Sequence, residues 1–314
     1  FRITNLNQET AGYITGKDVY KDKEKSKQNL NPEAYRDASS VKSDIRLSRT
    51  KNKSTLSLIP YVRKNNMEFL QHYLPGTPVE KNNHLSLGLI VKNTTPFKML
   101  DTTSGIQIEK AKIKLEEYQA SPLTTSSAFN NAVRPQGFHY DYEVDSRVVA
   151  FFTGFTGFSL GNSSLLFGDL RIESNEYSYD NKMLTGNTRD DGTACSFGGC
   201  YYNRPEDRDD GFEEVSFRLG VERNSEPIGF FSQISLGFRP PQMTELYRLQ
   251  KKQTVGDIDS EKLMMIEIGT RFLNKHIEGS VSLYSGKKND SIFRDSENFI
   301  QDHGKTIHRG MELF

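Results

Sequence analysis

Apolar and polar residues alternate with a period of two along most of this chain, and the period of an amphipathic helix is almost missing. In 84–92, Leu85, Leu87, Leu89 and Val91 alternate with His84, Ser86, Gly88 and Lys92, with Ile90 the exception. In 214–222, Val215, Phe217, Leu219 and Val221 alternate with Glu214, Ser216, Arg218, Gly220 and Glu222. Ile45 and Leu47, then Leu166, Leu170 and Ile172, then Ile277, Val281 and Leu283, follow the same rule. Such segments predict β-strands with one apolar face and one face carrying charges of both signs. One segment changes parity. Ile106 and Ile108 are even, whereas Ala111, Ile113 and Leu115 are odd, and this predicts a β-bulge near Glu109–Lys110.

The stretches 103–119, 140–154, 162–180 and 211–223 are long for strands of a globular sheet, which average about five or six residues. Their connections alternate between short and long. Short ones fall near 50–53, 94–102, 155–162, 224–227 and 273–276, and long ones at 8–41, 65–82, 120–139, 181–210 and 239–259. Antiparallel pairing sends successive connections to opposite ends of a sheet, so all turns gather at one end and all long loops at the other. That asymmetry belongs to an outer-membrane barrel. A soluble β-rich binding or adhesive protein, its apolar faces packed against a second layer, is the competing architecture.

Composition sharpens the choice. The 314 residues include 14 Tyr and 20 Phe, so the chain carries enough aromatic surface to fold. Its mean hydropathy is nevertheless only −0.65. A barrel wall reconciles the two, because one residue in two faces lipid while lumen and loops stay wet. Aromatics at strand ends (Tyr61, Phe69, Tyr140, Tyr142, Phe151, Phe152, Phe155, Phe158, Phe230, Phe231 and Phe238) fit interfacial girdles. Lys and Arg number 41 against 41 Asp and Glu, which removes the basic footprint expected of a nucleic-acid binder. No apolar run approaches the ~18 residues of a membrane helix.

From about residue 228 onward the chain resembles the barrel of a TonB-dependent outer-membrane receptor. The resemblance rests on Gly237-Phe238-Arg239-Pro240-Pro241 followed by Glu245-Leu246-Tyr247, on Ser260-Glu261 with Glu267-Ile268-Gly269, and on Arg309-Gly310-Met311-Glu312-Leu313. It implies an all-β, antiparallel transmembrane barrel of about 22 strands with a plugged lumen. About 11 to 13 of those strands are recognisable here. The expectation is therefore one partial barrel domain over 1–314, a curled sheet that need not close, with the plug and the last strands lying outside the chain. The resemblance also implies a Gram-negative outer-membrane location, the TonB energy-coupling complex as a partner acting through the plug, and import of a scarce nutrient. An iron chelate (a ferric siderophore) is the first choice of nutrient, and a passive porin-like channel is the alternative within transport.

Candidate site residues are few. Arg134 and His139-Tyr140 share a loop-to-strand segment with the charge and aromatic surface to hold an anionic chelate, and His72 lies on another expected outer loop. Arg239 is either a strand-end fixture beside two prolines or a lumenal cation facing an anion. Arg46, Asp169, Arg171, Glu173, Arg218, Glu222, Glu267 and Arg271 are expected on the lumenal face. Cys195 and Cys200 have the spacing of a metal or redox pair in a cytosolic protein, but on a loop exported through an oxidising compartment they predict a local disulfide. The basic run with Lys17, Lys21, Lys23, Lys25 and Lys27 could touch lipopolysaccharide phosphates, and Glu206-Asp207-Arg208-Asp209-Asp210 lacks a calcium-loop spacing. The six histidines (the other four being His84, His276, His303 and His308) show no zinc spacing, and no nucleophile elbow, Walker motif or zincin motif occurs. No enzyme, metal or cofactor is expected.

Overall fold

Period-two segments become long antiparallel strands in a computed structural model that describes residues 1–14, 16–97, 100–159, 164–255, 258–274 and 278–314. His276 and Ile277, and parts of the turns expected at 94–102, 155–162 and 273–276, lie outside the described residues. The elements are β1 (Arg2–Glu9), β2 (Tyr35–Asp44), β3 (Leu47–Lys51), β4 (Ser54–Leu70), β5 (Val79–Phe97), β6 (Leu100–Gln119), α1 (Ala128–Val133), β7 (Gly137–Ser159), β8 (Ser164–Asn181), β9 (Tyr202–Asn203), β10 (Arg208–Arg223), β11 (Ile228–Arg239), α2 (Met243–Tyr247), β12 (Leu249–Gln250), β13 (Glu261–Leu273), β14 (Glu278–Arg294) and β15 (Ile300–Leu313). All except β9 and β12 belong to one 13-stranded sheet, ordered β1-β2-β4-β5-β6-β7-β8-β10-β11-β13-β14-β15, with β3 also on β4. Among the described residues no ladder joins β15 to β1, so the sheet is unclosed.

The strands run further than the alternation alone suggests. The expected loop 65–82 shrinks to 71–78, because β4 and β5 pair up to Leu70↔Val79. The segment 44–48 is not one strand; β2 and β3 are two lengths of strand that both pair with β4.

Parity sorts each strand between two faces. Leu58, Val91, Ile106, Phe151, Ile172 and Val215 are successive cross-strand partners forming an apolar row across six strands. Among the described residues no second layer covers this face: Leu87 is 60% exposed, Ile172 49% and Leu283 49%. A soluble sandwich would bury these side chains between layers, so this outer face has the chemistry of a lipid-facing belt. The opposite face carries Gln107, Glu109, Arg171, Glu173, Arg218, Glu222, Glu267 and Arg271, linked in part by Arg218–Asp169 (2.6 Å) and Arg271–Glu222 (3.2 Å).

The bulge expected at Glu109–Lys110 is absent. Both ladders of β6 run through it in unbroken register, and the shift sits instead between Glu117 and Tyr118, opposite Phe138 and Tyr140. The parity of the apolar residues changes because the surroundings change, not the backbone. Even positions point outward all along β6: Ile106 and Ile108 lie in the belt, then Lys110, Lys112, Lys114 and Glu116 stand beyond its edge. Odd positions point inward and turn apolar at Ile113 and Leu115, where the loops cover them. The same inversion places Asp141, Glu143, Asp145 and Arg147 outward on β7 and leaves Tyr140 and Tyr142 inward, 3% and 1% exposed. Tyr140 and Tyr142 are therefore core residues rather than girdle members. Tyr61, Phe152 and Phe231 also lie on the inner face, each against a glycine of the next strand.

The long connections fold back onto that inner face at its outer end. The segment after β11 reaches β6 and β5, four and five ladder steps away in the sheet order. A flat sheet would put β5 at ~24 Å, at about 4.8 Å per step. Five residues of the segment are taken up by the compact turn α2, and a curled sheet shortens the distance it has to cover.

Candidate functional site

Three loops meet over the inner face. The 120–136 segment carries α1, whose Ser127 side chain caps the Asn130 N–H at 3.2 Å. The β8–β10 loop carries the Cys195–Cys200 disulfide, with Cα atoms 4.9 Å apart. The β11–β13 loop carries α2, where Glu245 closes a capping box on Gln242. Cross-links join the three: Tyr201 N–H donates to the Val133 carbonyl at 2.9 Å, and Lys251 N–H to the Tyr201 carbonyl at 2.9 Å. Tyr140, Tyr142, Tyr177, Tyr179, Tyr202 and Tyr247 form the aromatic centre of this assembly, with Tyr247 stacked on Tyr179 at 4.3 Å and donating to Asp210 at 2.7 Å.

Its polar heart is Arg248. The guanidinium donates to Glu80 at 2.7 Å, to Gln71 at 3.0 Å and also to Glu117. Gln71 donates to Glu80 at 2.5 Å, so both buried carboxylates are satisfied twice over. His139 faces Glu117 through Nδ1 at 3.0 Å and the Pro135 carbonyl through Nε2 at 2.8 Å, and stacks on Tyr202 at 4.7 Å. Burial drives the Glu117 carboxyl up, but Arg248 and His139 outweigh it and hold the group at about 2. Glu117 stands at the end of β6 beyond the belt, so water rather than lipid borders this region. Burial lowers the Arg248 guanidinium, and Glu117 with Glu80 more than restores it.

Beside this network opens a cavity of about 450 Å³, with Tyr73, Arg134, Tyr140, Tyr201, Arg248 and Arg294 in its wall. Arg248 is spoken for by two acids. Arg134 and Arg294 are different: among the described residues no carboxylate lies within ion-pair distance of either. Arg134 lies over the Tyr201 ring at 4.7 Å, and Arg294 donates to the Asn298 carbonyl at 3.2 Å. Burial depresses the Arg134 guanidinium, with only partial compensation from Glu117, and burial pushes the Tyr202 phenol up to about 12. The cavity thus offers two cations with spare donors among phenol rings, and the carboxylate in its wall, Glu117, is already bonded to Arg248. An anion with a planar or aromatic body suits it.

Of the residues singled out from sequence, Arg134 and Tyr140 line this cavity, and His139 lies behind it, fully buried. His72 sits between the rings of Tyr13 and Tyr73 at the cavity's margin. Arg239 is elsewhere. It donates to Glu261 at 2.6 Å and forks onto Glu245 at 2.9 and 3.1 Å, tying the end of β11 to α2 and to the start of β13. The motif residues Arg239, Glu245 and Glu261 thus converge in one clamp, to which Lys288 adds a contact at 2.6 Å. Gly269 and Gly310 are fixed by close approach, since a Cβ there would lie 2.4 Å from Phe231 or Tyr284. Arg248, Glu80, Glu117, Gln71, Tyr201 and Arg294 escaped the sequence reading. Glu117 left one trace, as a charged residue continuing the inward apolar series Ile113 and Leu115.

Similarities to known proteins agree with this architecture. Curated proteins yield no match to the sequence. Solved structures do match: the ferric yersiniabactin uptake receptor FyuA from Yersinia pestis (TM-score 0.64, 11% identity, 89% of this chain and 40% of that one), the copper transporter OprC (0.64, 13%, 89% and 42%) and the ferric-catecholate import receptor Fiu from E. coli K12 (0.62, 13%, 89% and 45%). The chain therefore spans less than half the length of these structures, and at such identities the likeness concerns the fold. The family described as TonB dependent receptor-like, beta-barrel, matches residues 8–314, and with nearly the whole chain covered, this protein belongs to the TonB-dependent receptor β-barrel family.

Proposed function

We propose that this chain supplies wall and outer vestibule to a Gram-negative outer-membrane receptor that captures an anionic metal chelate, a ferric siderophore above all, and imports it with energy drawn through TonB. The single observation that carries the reading is the cavity with Arg134 and Arg294 set among tyrosines. FyuA is a ferric yersiniabactin uptake receptor and Fiu a ferric-catecholate import receptor, which supports the choice; OprC is a copper transporter, so fold alone does not select iron. The choice of a chelate over a bare ion rests on the two guanidinium groups, which donate to anionic ligand oxygens and cannot ligate a metal ion, while the carboxylate in the wall, Glu117, is already bonded to Arg248. A plug within the lumen, outside this chain, would pack against the charged inner wall and take the pull.

Equilibrium binding to the full-length receptor tests this. A ferric catecholate and a ferric hydroxycarboxylate are titrated beside an uncharged chelate. Anionic chelates should bind, and Arg134→Gln or Arg294→Gln should weaken them by about tenfold or more, the worth of a charge-assisted hydrogen bond. Unchanged affinity in both variants overturns the site. A steady ion conductance of the full-length protein in a planar bilayer would favour the passive channel instead.

A further inference from the structure

The end of the 120–136 segment, which sets Arg134 in the cavity wall, is tied to the end of β6 by three side chains. Gln119 donates to the Arg134 carbonyl at 3.2 Å, Gln136 donates to the Ala120 carbonyl at 2.9 Å, and His139 meets the Pro135 carbonyl at 2.8 Å. The two amides carry no charge. His139 is different, because its side chain is fully buried and both ring nitrogens face acceptors. Pro135 offers a carbonyl, which only accepts. Glu117, 3.0 Å from Nδ1, offers a carboxylate that Arg248 keeps ionised. A neutral imidazole has one N–H and one lone pair, so it serves one of these partners and turns its lone pair on the other. Only the imidazolium donates to both.

Charged and titratable groups face this ring from each element packed on it. Glu117 comes from β6, with Glu80 of β5 behind it across Arg248, and Arg134 comes from the 120–136 segment. The β8–β10 loop brings Arg204, which donates to the His139 carbonyl at 3.2 Å, Asp190, which accepts from the Phe138 N–H at 3.2 Å, and the stacked Tyr202. Among side-chain types, histidine is the one that ordinarily changes charge between about pH 5 and 8. We infer that His139 is a proton-dependent positioning residue: doubly protonated, it ties Pro135 to Glu117 and holds Arg134 in the cavity, and on giving one proton to the medium it releases a tie, so that anion capture weakens as pH rises. Either proton gives the same sign. Loss from Nε2 sets a lone pair against the Pro135 carbonyl and pushes away the segment that carries Arg134. Loss from Nδ1 sets a lone pair against ionised Glu117 and leaves that carboxylate to Arg248 and Gln71. Both also make the surroundings of the cavity one charge more negative. By linkage, a bound anion draws a proton onto His139 as strongly as that proton favours the anion. The inference rests on the reading of this cavity as an anion site and concerns its regulation.

The test follows full-length receptor between about pH 5 and 8 in two ways. Without ligand, hydrogen exchange is read at the Arg134 and Tyr201 amides, which donate to the Asn130 and Val133 carbonyls, and is corrected for the intrinsic effect of pH. Wild-type protection there should fall as pH rises. With ferric citrate and a ferric catecholate as probes, wild-type affinity should fall by about tenfold over the same range relative to His139→Gln, which keeps an N–H but cannot titrate. That ratio removes the pH dependence of the chelates themselves, which both proteins meet. His72, at the cavity's margin, is the competing source of a slope, and His72→Gln should keep the wild-type slope. Equal slopes in wild type and His139→Gln, or a slope abolished by His72→Gln, would overturn the proposal. If His139→Gln does not fold, the wild-type exchange profile decides, and protection that is level between about pH 5 and 8 overturns it. If the probes bind at no pH while protection still falls, the fault lies with the anion-site reading and not with the proton-dependent tie.

Discussion

The two halves of the wall share one backbone and one parity, yet their side chains are inverted. In the belt half, β6 and β7 put Ile106, Ile108, Val149 and Phe151 outward and Gln107, Glu109 and Phe152 inward. In the outer half the same strands put Lys110, Lys112, Asp145 and Glu143 outward and Leu115, Tyr140 and Tyr142 inward. Register continues across the boundary without a slip. What switches is the surroundings: the outside goes from hydrocarbon to water, and the inside goes from wet lumen to packed loops. An inverted hydrophobic pattern within one continuous strand can therefore mark the edge of a membrane as well as a bulge.

Removing the Arg248 side chain attacks the outer half of that contrast and carries the largest expected effect. Arg248→Ala leaves Glu80 and Glu117 buried without their cation, a change worth about 3–5 kcal/mol. The loss should be confined: hydrogen exchange should accelerate in 120–136, 182–207 and 240–260 while the belt strands keep their protection. Uniform loss of protection would mean that the halves are not separable. Ile106→Arg strikes the belt instead. A guanidinium facing lipid there should cost about 2–4 kcal/mol, read from reversible unfolding in lipid vesicles, and should spare the loop assembly.

How much of this was legible in sequence follows the same division. Strands, their apolar faces and the turn-and-loop rhythm were visible because a lipid-facing row is written locally, one residue in two. The clamp motif Arg239, Glu245 and Glu261 was visible as a pattern, though not as an ion-pair cluster. The vestibule was barely legible. Arg248 meets Glu80 and Glu117 across distant strands, and no local period encodes a contact made by curling the sheet. The tyrosines misled because one residue type serves both girdle and core. Only strand parity separates the two roles: Phe151 is exposed, whereas Tyr142 is sealed.

Two smaller effects sharpen the boundary. Gly269→Ala should cost about 1–3 kcal/mol, because the new methyl meets the Phe231 ring and adjacent backbone in an already filled site. Phe231→Leu in the same background should recover part of the loss in a denaturation midpoint. Acid should then divide the halves without mutation. The Glu117 carboxyl is held at about 2 in the folded protein, below its ordinary value of 4.5, so its contribution is fully present above pH 4.5. That contribution drains away as pH falls from 4.5 toward 2. Loop exchange should rise in that window while belt strands stay protected. Glu261, held to about 2 by Arg239 and Lys288 against its own burial, drains over the same range, so the Glu117→Gln difference isolates the vestibule.

The smallest expected effect makes the cleanest test of the boundary. Ile106 and Lys112 lie on one face of one strand, three outward positions apart, and each is exposed. If lipid ended at the same height everywhere on that face, or extended past Lys112, then Lys112→Leu would stabilise the protein in vesicles as Ile106→Arg destabilises it. Lys112 is exposed and paired with Glu143 at 2.8 Å, as suits a side chain in water, and exposed pairs of this kind contribute little. Lys112→Leu should therefore leave the unfolding midpoint unmoved both in vesicles and in detergent. A rise seen only in vesicles would push the membrane edge outward by at least two positions along β6, and would place Lys110 and Arg147 within hydrocarbon.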